Sequence, residues 1–457
     1  MNKLHIFISK YSHWYARWHE SKFYTQFHWG IFFVALIFFA GSLLLIIASD
    51  HKQIKDTTFS EKIYYVNSQS GDDAYSGTSQ EQSWKSLGKL QDVDFLPGEK
   101  IILSGVFEES LSINSSGRPA AVISIEGESA NIAGINLSDI HYLEIKNVII
   151  AGSALASRIQ NSSHISISES EFIENSVTIF NLDHSSDIAF VENKFSKNKS
   201  KNENFLIFGS EAENLLFTNN EFTENAGSIL DIQESKNLIF NSNSITGSDE
   251  QSARYMVELR GAEDVIFKKN KIFGFRGPGA LNFIDTTGIE ITANLLVGNQ
   301  DAGLRIERGG DGKILNNTIY GLGFWQTKKA IVLRESKDLE VFNNITMDIL
   351  EYALDVDENS VESLNSDYNN WVGSLGLAIF GEQSLVSLDD LRLASGQDAH
   401  SMSHDPRFVN IFEKDFHLSA SSLMIDSGVD RGVDADFDGV AIPQGVLPDL
   451  GAFEFVK

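Results

Sequence analysis

The chain contains no cysteine. That excludes disulfides, thiol catalysis and cysteine-ligated zinc. Positive charge is scarce: 36 lysines and arginines face 63 aspartates and glutamates, for a formal net charge of −27. A surface so poor in clustered Lys and Arg excludes nucleic acid as a partner, and it repels anionic membranes and anionic polymers. Helix-length patterns are also missing from the body of the chain. A run of short alternating segments stands in their place, and 42% apolar residues over 457 positions give enough material for a large core.

One long hydrophobic run is present. Residues 29–48, WGIFFVALIFFAGSLLLIIA, hold no charge, and twenty residues is about the length that crosses a bilayer core of roughly 30 Å. The leader before it, 1–28, is long and aromatic-rich, and Ile46 and Ala48 make a poor cleavage site. The sequence therefore predicts an uncleaved transmembrane helix rather than a removed signal peptide. Lys10, Arg17 and Lys22 on one side nearly balance Lys52, Lys55 and Lys62 on the other. The N-terminus is expected inside, because the chain beyond the 49–62 linker reads as an extracytoplasmic module. The membrane is thus an expected partner through this helix.

The body repeats. VENKF, TNNEF, NSNSI, KKNKI, TANLL and LNNTI end at Phe195, Phe222, Ile245, Ile272, Leu296 and Ile319, in steps of 27, 23, 27, 24 and 23. ESEF carries the series up to Phe172, with Ser170 in the asparagine's place, and KNVII carries it to Ile149, with Asn147 there. A period in this range is the mark of a solenoid. In SILDIQESKNLIFNSNSITG, residues 228–247, three short strands and three turns fit one rung of a parallel β-helix, with Leu230, Ile232, Leu238, Phe240 and Ile245 inward. Asn243 falls at the bend between the second and third strands, where left-handed backbone and hydrogen bonding along the stack are expected of it. The fold class predicted is all-β, a right-handed parallel β-helix of about nine or ten rungs over 126–360, behind the N-terminal transmembrane helix.

Both ends of such a stack need caps. Upstream, over 63–125, stand GDDAYSGT, WKSL and LPGEKIIL; downstream, over 361–457, stand NSDYNNW, SGQDAHSMSHDPRFVN, DFHLSASSLMIDSG and PDLGAFEF. These segments resemble the opening and closing pieces of the right-handed parallel β-helix repeat proteins of bacterial secreted and surface type. Ser83 stands where that family usually has Pro. The resemblance implies the fold, but its members include polysaccharide lyases, glycoside hydrolases, epimerases and proteins without known activity, so it does not fix a function.

The family's sites lie on the outer face of the first strand of each rung. Counting back 14 and 12 residues from each repeat mark gives Asn181 and Asp183, Phe208 and Ser210, Asp231 and Gln233, Glu258 and Arg260, Asn282 and Ile284, and Arg305 and Glu307; Arg334 comes on the next rung. One stripe thus carries Asp183, Asp231, Glu258, Arg260, Arg305, Glu307 and Arg334. A lyase on uronic acids needs a base for the C5 proton and a cation to stabilise the intermediate. The resemblance implies Arg260 or Arg305 in those roles, with calcium on Asp183 and Asp231. A hydrolase needs two carboxylates, as in Asp231 with Glu258 or Glu258 with Glu307. A ladder of exposed ion pairs is the competing structural reading.

The loops GFWQ, with Phe324 and Trp325, and FRGPG, at 275–279, are expected to project, and Trp325 is a candidate for stacking on a sugar. DADFDG places Asp434, Asp436 and Asp438 in the opening of a calcium loop, although Gly445 sits where the bidentate Glu belongs. His400, His404 and His417 fall in the closing segment and read as capping residues. The expectation is a membrane-anchored extracytoplasmic protein that binds or processes a polysaccharide, calcium being the one cofactor considered. The alternative is a scaffold or adhesin without turnover.

Overall fold

A computed structural model describes residues 61–199, 205–248, 255–275, 277, 279–321 and 327–456. The leader, the expected membrane segment at 29–48 and all but the end of the linker lie outside them. Among the described residues no helix is long and apolar enough to cross a membrane.

Each turn of the coil uses three short strands, because apolar residues alternate over only a few positions before a turn interrupts them. In one rung these are Ser228–Gln233, Lys236–Asn241 and Ser244–Gly247. They form a first, second and third ladder with their equivalents above and below. Leu230 pairs with Val257, Leu238 with Val265 and Ile245 with Ile272, all in parallel. The result is a right-handed parallel β-solenoid of about 11 turns. The stack exceeds the expected nine or ten rungs because the opening segment already coils. Ile63–Asn67 pairs with Lys100–Val106, which pairs with Ile123–Asn131, which pairs with His141–Ala151.

Side chains of like kind stack up the interior. Phe172, Phe195 and Phe222 lie ring on ring at 4.5 and 4.6 Å, and Phe190, Phe217, Phe240 and Phe267 at 5.0, 4.8 and 5.5 Å. Each buried ring contributes about 1.5–3 kcal/mol relative to exposure. Beside them runs an asparagine ladder. Nδ2 of Asn243 donates to the carbonyl of Phe217 and to Oδ1 of Asn270, while Oδ1 of Asn243 accepts from the backbone N–H and Nδ2 of Asn220, all at 2.9–3.0 Å. The same pattern runs from Asn193 to Asn369.

Two expectations about this bend need correction. The left-handed residue is the one before each ladder asparagine: Glu192, Asn219, Ser242, Lys269, Ala293, Asn316 and Asn343 have φ between 53° and 58°. The asparagine itself turns inward and satisfies backbone groups that the bend would leave bare. Asn147, with φ 59°, occupies that left-handed position rather than the ladder, and Val148 takes the ladder place by donating to Ser170. The step there is shorter, since Ile150, not Ile149, pairs with Phe172.

At the leading end Trp84 stacks on Tyr64 at 5.2 Å and lies edge-on to Phe95. Ser83 is buried with φ −66°, and its hydroxyl has no partner. At the far end Ala378–Phe380 meets Gln383–Leu385 antiparallel, and the helix Leu388–Ser395, capped by Ser387, buries Leu391. The closing segment then runs back along the third ladder. Phe416 and Phe453 cover Phe273, Leu295, Val297 and Tyr320. This leaves the outer face of the first ladder free of the closing segment's apolar cluster.

Candidate functional site

Strand pairing sets two outward columns on the first ladder. One runs Asn181, Phe208, Asp231, Glu258, Asn282, Arg305, Val332, Asp355. The other runs Asp183, Ser210, Gln233, Arg260, Ile284, Glu307, Arg334. Alternation delivers the expected register, with Leu182, Leu259, Phe283 and Ile306 fully buried on the other side. Arg334 pairs with Glu307 in the outward column.

Burial on this face is uneven. Asp231 is 1% exposed, and Glu258 and Asn282 are 6% each, although all three point away from the coil. A solvent-exposed ion ladder does not account for them. Nη1 of Arg260 donates to both carboxylate oxygens of Asp231 at 3.1 and 3.2 Å, and Nη2 pairs with Glu258. One guanidinium therefore holds carboxylates from two rungs. Arg305 Nη2 donates to Glu307 at 3.1 Å, and Arg308 also pairs with Glu307 and clamps Asp285 at 2.8 and 3.0 Å. Burial alone would raise the Glu307 carboxyl, but the bonds from Arg305 and Arg308 outweigh it and hold it below the usual range. Asp355 behaves alike: burial opposes ionisation, and Arg334 and Lys329, each 2.7 Å away, outweigh it.

Two further residues on this face gain weight only from the structure. Tyr255 is buried with Ala302 and Val332, and its ring fills the space a side chain at Gly279 would need, 2.4 Å from an added Cβ. Burial pushes its phenol up to about 12 against the opposing pull of Arg305, with which it shares a hydrogen bond. It keeps its proton at neutral pH. Its only signal in the sequence is its place just before a first strand. Phe208 stands half-buried in the outward column, stacked on Phe205 at 5.3 Å. Its outward position is legible from the period.

Other expected groupings do not form. Asp183 lies two rungs from Asp231 and in the other column, bonded to His184 at 2.7 Å, so the two do not converge on a cation. Glu258 and Glu307 also lie two rungs apart in different columns. The calcium expectation at Asp434, Asp436 and Asp438 does not fit the geometry. Asp436 accepts at Oδ1 from the N–H of Val440 and at Oδ2 from that of Glu454, while Asp438 bonds His417 at 2.7 Å. The carboxylates tie a turn together instead of facing one point. Among the described residues no group of three or more His, Asp or Glu is arranged to hold a metal ion. Phe324 and Trp325 lie outside the described residues. His400 bonds Asp367 at 2.8 Å and stacks on Tyr368, well away from the stripe in sequence and role.

Two open grooves lie on the outside of the coil. One, of about 580 Å³, continues the first-ladder face toward the leading end among Ser110, Asn136, Ser138, Arg158 and Gln160. A larger one, of about 730 Å³, lies on the second ladder among Asp264, Glu290, Asp311 and Glu340.

The model of the right handed beta helix region matches residues 123–251 and 255–386, more than half of the chain. The chain belongs to the right-handed β-helix family. Among solved structures this β-helix is similar to XylC, described in complex with xylose, at 9% identity and a TM-score of 0.54, covering 86% of this chain and 98% of that one. Pectate lyase Pel9A aligns over 87% of this chain and 98% of its own at 17% identity, with a TM-score of 0.41. These likenesses concern the fold. A lacto-N-biosidase of Bifidobacterium longum subsp. longum is 45% identical over 58 residues, 12% of this chain and 4% of that protein's length.

Proposed function

We propose that the chain binds a carbohydrate polymer in the groove of the first ladder, outside the cytoplasmic membrane, behind an anchor at residues 29–48. One observation carries this reading: Asp231, Glu258 and Asn282 face outward yet are almost completely buried. Polar acceptors gathered on one outward face, which a groove continues among Ser110, Asn136 and Gln160, suit a ligand rich in hydroxyls. The short stretch shared with a lacto-N-biosidase supports a sugar ligand.

Hydrolysis is a second reading. It is favoured by Asp231 and Glu258 pairing directly across neighbouring strands, about 5 Å apart along the stack, near the carboxyl separation of retaining glycosidases. Elimination is less well served, because Arg260 and Arg305 are already engaged by the chain's own carboxylates. The test is to incubate the full chain with neutral and acidic polysaccharides. Retention without products indicates binding alone. New reducing ends indicate hydrolysis, and new ultraviolet absorbance indicates elimination. No retention and no product with any polymer would remove the carbohydrate reading.

A further inference from the structure

The charged network has a consequence for what the groove can accept. Among the described residues every cation in its central stretch is matched from within. Arg260 takes Asp231 and Glu258, Arg305 takes Glu307, Arg308 takes Asp285 and Glu307, and Arg334 and Lys329 take Asp355. A uronate carboxylate entering here would have to compete with a resident one for its cation, and weakening the pairing of Asp231 or Asp355, each 1% exposed, is costly because both carboxylates are buried. The chain's net charge of −27 opposes polyanions further.

Asn282 gives an independent indication. It lies in the column between Glu258 and Arg305, 6% exposed, and its Oδ1 has no hydrogen-bond partner. A buried acceptor left bare is costly, and most such groups find partners. An amide oxygen can be satisfied only by a donor. A sugar hydroxyl supplies one, whereas an ionised carboxylate has none to give. The nearby carboxylates of Asp231 and Glu258 likewise accept from hydroxyls. Toward the leading end Ser210, Gln233, Asn181 and Gln160 are uncharged hydrogen-bonding groups, with Asp183 and Arg158 the charged residues among them.

Phe208 completes the site. It sits one rung before Asp231 and three before Asn282. Its ring is half-buried and braced by Phe205 at 5.3 Å, so it presents a fixed apolar face of the kind that packs on the C–H face of a pyranose. From Phe208 to Asn282 the stack rises about 14 Å, the length of a short oligosaccharide.

We propose that this groove takes an uncharged oligosaccharide laid along the solenoid axis, with one ring on Phe208 and a hydroxyl donating to Oδ1 of Asn282. This rests on the carbohydrate reading and narrows it. The test uses the full chain on an array of neutral and uronate-containing glycans, followed by titration calorimetry with the best ligand. A neutral glycan should bind. Phe208→Ala and Asn282→Leu should each weaken it about tenfold, while Phe208→Tyr, which keeps the ring, should stay within about twofold. Thermal unfolding of each variant reports whether the fold is kept. Binding of uronates with neglect of neutral glycans overturns this proposal and leaves the carbohydrate reading in place. Neutral binding that ignores both Phe208→Ala and Asn282→Leu overturns the site. Failure of every glycan on the array overturns both.

Discussion

Arg260 reaches back one rung to grip both carboxylate oxygens of Asp231, at 3.1 and 3.2 Å, while its other terminal nitrogen holds Glu258. Two nearly buried anions share one guanidinium that is itself one-third exposed. Arg260→Ala would take this charge partner from both, although Gln233 still donates to Asp231 at 3.0 Å. Breaking a buried ion pair by removing one partner costs about 3–5 kcal/mol, so calorimetry should show a drop in melting temperature of several degrees. Arg305 pairs with Glu307 where both side chains are more open, at 31% and 27% exposure, and Arg305→Ala should cost about 1 kcal/mol or less. Equal, small losses in the two variants would mean that the face is an ordinary surface ladder.

Function should rank the same two arginines differently. Beyond its bond to Glu307, Arg305 keeps further donors; it interacts with Tyr255, and its strand position pairs with that of Asn282. Arg305→Ala is expected to weaken glycan retention strongly with little change in melting temperature. If Arg305→Ala and Arg260→Ala both leave retention intact, the site is misplaced and the second-ladder groove near Asp264 and Asp311 is the next to test.

Two asparagines should give opposite results. Asn243 exchanges bonds with Asn220, Asn270 and Phe217 inside the wall. Asn243→Ala leaves several of those groups bare, at about 1–3 kcal/mol each, and hydrogen exchange should rise in the rungs on either side. Asn282 has a buried oxygen that bonds nothing. Asn282→Leu should be neutral or stabilising by up to about 1 kcal/mol. A destabilisation of Asn282→Leu comparable to that of Asn243→Ala would show that the Asn282 amide is structural.

Most of the coil is legible because a solenoid writes its geometry into its period. Asp231, Glu258 and Arg305 can be placed in one column by counting alone, and Glu307 and Arg334 in the other. Counting slips at Asn147, where a shorter rung moves the asparagine onto the left-handed turn. Burial is not legible. Asp231 and Glu258 read as exposed charges because the period gives direction but not what stands alongside. Tyr255, which packs over Gly279 across the neighbouring rung, shows the difficulty: it belongs to a connection of irregular length, and no repeat position announces it. The Asp436 loop misleads for the opposite reason. Its spacing suggests a cation, but a tight turn uses the same acidic residues to bind its own N–H groups.

The anchor has its own test. If residues 29–48 form a membrane helix, the full chain should float with lipid vesicles and resist extraction by high salt, and a chain lacking residues 1–60 should stay in solution. A full chain that washes off in salt would rule out a spanning anchor.

The closing segment should respond to pH through His417. Its Nδ1 lies 2.6 Å from Asp415 and its Nε2 2.7 Å from Asp438, with the ring against Phe453. Burial alone would lower its pKa, but the bonds and charge of the two aspartates outweigh that and raise it above the ordinary 6.5. A histidine with a raised folded pKa contributes stability that is full below about 6.5 and is lost as pH climbs through the folded value. Asp449 and Glu454, raised by burial, add a loss of the same sign at lower pH, once the unfolded carboxyls ionise near 4. The closing segment should therefore hold the third ladder more firmly at pH 6 than at pH 8. In His417→Gln the step between about pH 6 and 8 should shrink to what exposed His184, raised in the same way by Asp183 and Glu211, contributes, while the carboxyl-dependent loss at lower pH remains. Melting curves of the full chain across that range decide it: a wild type that is as stable at pH 8 as at pH 6, or a His417→Gln profile that overlays it, would show that this bridge does not fasten the segment.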